Sequence, residues 1–128
     1  MQKKGILAYE CGNCTAAKEY LAEGLNLAYA TGDHRLIIET LNEWGELCLK
    51  QKLIEEALLS FIKARDMAQE REIRRQVAIA LFGLARIAVL QGDMKEAECQ
   101  GKKSKVIFEE LDDEKKEQVT QWLHGIDL

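Results

Sequence analysis

Across residues 34–51 the apolar positions Leu36, Ile37, Leu41, Trp44, Leu47 and Cys48, with Thr40 among them, recur at the three- and four-residue steps of one helix face. After the polar "KQK" the stripe resumes with Ile54, Ala57, Leu58, Phe61, Ile62, Ala64 and Met67. Two helices follow, over 34–51 and 54–70. The same pattern predicts helices over 2–11, 14–30, 74–91, 94–110 and 114–124, about seven in all. No segment alternates at the two-residue period of a strand. The punctuation agrees. Gly12 and Gly92 suit a helix C-terminus, where a left-handed residue is needed. Asn13 and Asp33 are plausible N-caps, and Asp93 followed by Glu96 reads as a capping box.

The pattern repeats. Segments beginning at 9, 49 and 89 align at a 40-residue step, which brings Ala17, Ala57 and Ala97 into register, and likewise Gly12, Lys52 and Gly92. Gly5, Gly45, Ala85 and Gly125 form a second row of small residues at the same interval. Both rows are expected where helix backbones approach too closely for a larger side chain. The chain therefore reads as one all-α array: repeat 1 over 1–32 with a short first helix, repeat 2 over 33–72, repeat 3 over 73–112, and a terminal half-repeat helix over 113–128. Starting and stopping inside units, it is expected to be part of a longer array or to cover its ends by self-association.

Within the second unit, Leu41-x-x-Trp44-Gly45-x-x-Cys48 followed by Ala57-x-x-x-Phe61 resembles the tetratricopeptide repeat. Trp44 stands where leucine is usual, Cys48 where tyrosine is usual and Gln69 where proline is usual. The unit also exceeds the usual length of about 34 residues. Longer units of this kind look like the arrays attached to bacterial signalling ATPases and transcription regulators. The resemblance covers essentially the whole chain. It implies a right-handed superhelical solenoid of antiparallel helix pairs whose first helices line a concave surface, a scaffold for binding protein or peptide partners.

Composition narrows the function. The chain has 128 residues, 47% of them hydrophobic and 31% charged, with no proline and a net charge of −4. The acidic balance argues against nucleic acid, and the basic clusters "REIRR" (71–75) and "GKKSK" (101–105) are flanked by acidic runs. No stretch approaches the ~20 apolar residues that span a bilayer, and the first ten residues do not read as a signal peptide. A cytoplasmic setting without membrane contact is expected, with Cys11, Cys14, Cys48 and Cys99 as free thiols.

The Cys11-Gly-Asn-Cys14 motif raises redox and zinc chemistry as the reading from a different class. A redox pair wants its first thiol at a helix N-terminus, whereas Cys11 is expected at a C-terminus. A structural zinc site needs four ligands, and Cys48, Cys99, His34 and His124 are scattered. Register instead aligns "ECGNC" with the turns at "KQKLI" and "LQGDM". Ser60 and Ser104 have no histidine and acid spaced to activate them, and no phosphate loop is present. No catalysis, metal or cofactor is expected.

The candidate partner-binding groove lies on the first helices, on the face turned from the second helices. Its rows are Asn42, Phe82 and Trp122; Tyr9, Leu49 and Val89; and Ile6, Glu46, Arg86 and Ile126. Phe82 and Trp122 are expected as exposed aromatic anchors, with Glu46 and Arg86 orienting a ligand's polar groups; the alternative is that these residues simply pack on the next helix, Trp122 above all. The groove does not resemble a carboxylate clamp, because Glu39, Glu43 and Glu46 would repel a peptide terminus. The alternative occupant is a second copy, giving a homodimer through the groove or the open solenoid ends, as in an oligomerising or sensory segment of a larger signalling regulator.

Overall fold

The computed structural model describes the backbone of residues 2–126 and the side chains of residues 15–126. It contains six helices among the described residues: α1 (Gln2–Thr31), α2 (His34–Lys50), α3 (Ile54–Glu70), α4 (Arg74–Leu90), α5 (Met94–Glu110) and α6 (Lys115–Ile126). No strand occurs among them. Each helix packs on the next in sequence, and α2 also touches α4. The result is an all-helical repeat array.

Helices α2 to α5 are each 17 residues long. All five turns close the same way. Gly32, Lys52, Glu72, Gly92 and Asp112, 20 residues apart, take positive φ of 72°, 62°, 55°, 81° and 52°. The residue after each donates its N–H to the carbonyl five residues back, as in Leu53 to Cys48 (2.8 Å) and Asp93 to Ala88 (2.9 Å). Asp33 and Asp93 cap the next helix by accepting from Leu36 N and Glu96 N, both at 3.1 Å. The capping box at Asp93 is only half made. The Asp93 N–H is committed to Ala88, and the Glu96 carboxylate accepts from Gln100.

One expected turn is absent. The break predicted between 11 and 14 does not form, and α1 runs unbroken from Gln2 to Thr31, giving six helices rather than seven. Glycine inside a helix costs only about 1 kcal/mol relative to alanine. The local signal at Gly12 is therefore too weak to end a helix by itself. The side chains of Cys11, Cys14, Ile6 and Tyr9, and the surroundings of Gly5, lie outside the described residues.

The main core runs along the array from Ala28 to Ile87, and a smaller cluster of Ala78, Phe82, Phe108, Val119 and Leu123 lies under α6. Phe61 and Phe108 are the largest fully buried side chains among the described residues. The Phe61 ring sits between two glycines: a Cβ on Gly45 of α2 would lie 2.7 Å from it, and one on Gly83 of α4 2.5 Å. Ala57, Ala85 and Ala97 are fully buried, and Ala17 is half-buried. At Gly125 a Cβ would meet nothing within 4 Å, so no close packing restricts that position among the described residues. The two serines join helices: Ser60 Oγ donates to the Leu41 carbonyl (2.6 Å) and Ser104 Oγ to that of Ala78 (2.8 Å).

The turns generate a prediction. Lys52 holds a backbone conformation that costs a non-glycine residue more than a glycine loses in chain entropy. Lys52→Gly should therefore raise stability by about 0.5–1 kcal/mol, seen as a higher urea midpoint with an unchanged slope.

Candidate functional site

Three first helices, α2, α4 and α6, enclose a groove of about 430 Å³. Its floor is apolar. Phe82 of α4 is 7% exposed, and the Trp122 ring of α6 meets it edge-on, with centroids 5.4 Å apart and planes at 88°. Trp122 is held there because Gly101 of α5 leaves room for it: a Cβ on Gly101 would stand 2.8 Å from the indole and 2.9 Å from Leu123. The expectation of an exposed Phe82 is thus corrected. Trp122 and the Arg86 guanidinium, 4.4 Å from the phenyl centroid, cover it.

The walls are charged. Glu39 and Glu43 line the α2 side, while Arg75 and Lys115 line the opposite side. Glu46 and Arg86, expected to face a ligand, instead form a two-toothed ion pair across α2 and α4, with one bond at 3.0 Å. Arg86 Nε also donates to the Phe82 carbonyl at 3.3 Å. Asn42 is 3% exposed. Its amide nitrogen donates to both the backbone and the side-chain oxygen of Gln76, at 3.2 and 2.9 Å, which fixes the amide orientation. That leaves Asn42 Oδ1 buried and without a hydrogen-bond partner among the described residues.

The structure brings Asn42, Glu46, Phe82 and Arg86 into one groove and sets Trp122 against its floor. Leu49 and Val89 are half-buried and do not line it, Leu49 packing on the main core. Ile126 packs on the smaller cluster. Sequence reasoning missed Arg75, Gln76, Ile79 and Lys115. The signal was present in "REIRR", but one sequence does not tell a groove-facing arginine from a solvated one. Arg74 pairs with Glu110, and Arg75 Nε donates to Asp113 at 2.6 Å, which ties the wall of the groove to the turn before α6.

Cys48 is fully buried, and burial, then the Glu56 carboxylate, push its thiol up, opposed by Lys18. A raised thiol is a poor nucleophile at neutral pH. Cys99 is exposed. No group of three or more His, Cys, Asp or Glu side chains that could hold a metal ion occurs among the described residues. No helix among them is long and apolar enough to cross a membrane.

A family model described as tetratricopeptide repeat matches residues 36–110, from the first turn of α2 to the end of α5. The chain belongs to the tetratricopeptide repeat family. No curated protein and no solved structure matches the chain. Tetratricopeptide repeats generally mediate protein–protein interaction and are typically non-catalytic.

The Lys115 backbone N–H, 2.9 Å away, and then Arg75 hold the Asp113 carboxyl below the usual carboxylate range, against the opposing effect of burial. A carboxyl lowered in the folded state adds stability above its unfolded pKa of about 3.9 and loses it as pH falls through the folded value. Asp113→Asn should therefore cost stability at neutral pH, and the gap between the two proteins should close as acid protonates the wild type. Urea titrations at stepped pH check this; a gap that is constant into strong acid would contradict it.

Proposed function

We propose that the chain is a non-catalytic interaction module that holds a peptide or a partner helix in the groove between α2, α4 and α6. The observation that carries this reading is the combination of an apolar floor and facing walls of opposite charge in one groove between three helices. Apolar side chains on one face of a partner segment would meet Ile79 on the floor. Its basic side chains would point to Glu39 and its acidic ones to Lys115. The unpaired thiols Cys48 and Cys99 suit a reducing, cytoplasmic setting.

The test is selection of peptides from a random display library on the immobilised chain, followed by titration calorimetry. Reversing one charge on each wall, Glu39→Lys with Lys115→Glu, should weaken the selected peptides by about tenfold or more, with far-UV circular dichroism unchanged. Undiminished binding would place the peptide outside the groove.

A further inference from the structure

A second hollow, of about 500 Å³, opens between α1 and α2. Ala17, Tyr20 and Leu21 line it from α1, and Leu47 lines it from α2. One 40-residue step takes these positions to Ala57, Ser60, Phe61 and Ile87, all buried. Those four lie on α3 and α4, the two helices between which α2 packs: Phe61 lies on Gly45, and Ser60 bonds the Leu41 carbonyl. The hollow is the same seat one unit earlier, without its helix, and Tyr20 in it is 81% exposed.

We propose that this seat receives residues 2–11 of a second copy, so that two chains exchange their N-terminal helical segments reciprocally. Three observations point to this occupant. Residues 2–11 stand 40 before residues 42–51, the last part of α2 and its C-cap, with Gly5 at the position of Gly45 and Ala8 at that of the fully buried Cys48. Their charges also complement the seat. The Glu46–Arg86 pair joins neighbouring first helices at an offset of 40, and the same offset sets Lys3 against Glu43 and Glu10 against Lys50. Glu43 and Lys50 both line the hollow and are exposed. Finally, the unbroken α1 carries Gly5 about 18 Å along the helix axis from Ala17, so a chain cannot fill its own seat. A reciprocal exchange fills both, by a route that demands no new surface.

Sedimentation of the full chain over a wide concentration range tests the proposal. The expected species is a dimer, twice the 14.5 kDa chain mass. Glu43→Lys with Lys50→Glu, both exposed, should weaken the dimer by roughly tenfold or more while helicity stays unchanged. Adding Lys3→Glu and Glu10→Lys should restore it. Glu39→Lys with Lys115→Glu, in the concave groove, should leave the dimer intact. A monomer at every concentration overturns the proposal, including one in which the segment folds back at Gly12 onto its own seat. So does a dimer indifferent to the charge reversal, or one not rescued by the fourfold exchange.

Discussion

The Phe61 ring fills a slot between Gly45 and Gly83, and no side chain fits at either glycine without moving the ring. One second helix is thereby locked to its own first helix and to the next one. One unit along, the sizes are exchanged across the equivalent contact: Gly101 replaces the phenylalanine, and Leu123 replaces Gly83. What the array keeps at this crossing is the combined volume rather than the identity of either residue. The consequence reaches the groove directly. Because Gly101 is small, Trp122 packs in against α5, and its ring meets the Phe82 ring of the floor at a right angle.

The turns supply the second regularity. Seventeen-residue helices separated by three residues return the chain to the same place every 20, and a left-handed residue stands at each step whether or not it is glycine. Lys52, Glu72 and Asp112 accept this strain because the turn satisfies the carbonyls of the preceding helix end. Equal helices set their first members side by side at a fixed offset. Glu46 therefore meets Arg86, and charged walls of opposite sign face each other across one groove.

The helices α2 to α5 were legible because each carries an apolar stripe bounded by local turn chemistry, and Asp33 and Asp93 cap where their positions say they should. The repeat spacing brought Gly45, Ala57, Ala85 and Ala97 to attention. Gly83 and Gly101 escaped because their partners in register are Glu43 and Phe61; exchanged sizes erase the small-residue row. Phe82 reads as an exposed anchor in sequence because its cover comes from α6 and from Arg86, contacts no periodicity encodes. The turn at Gly12 failed for the converse reason. A glycine and an asparagine offer a stop, but only packing of the two flanking helices enforces one.

The coupling of Phe61 to Gly83 is the most direct test of this account, measured as a double-mutant cycle by urea unfolding. Gly83→Ala should cost about 1–3 kcal/mol in the wild-type chain, and distinctly less when Phe61→Leu has already shortened the ring side chain. A coupling of at least about 0.5 kcal/mol is the predicted result. Equal costs in both backgrounds would show that the ring does not set the spacing of α2, α3 and α4, and the slot would lose its place as the constraint on which the array depends.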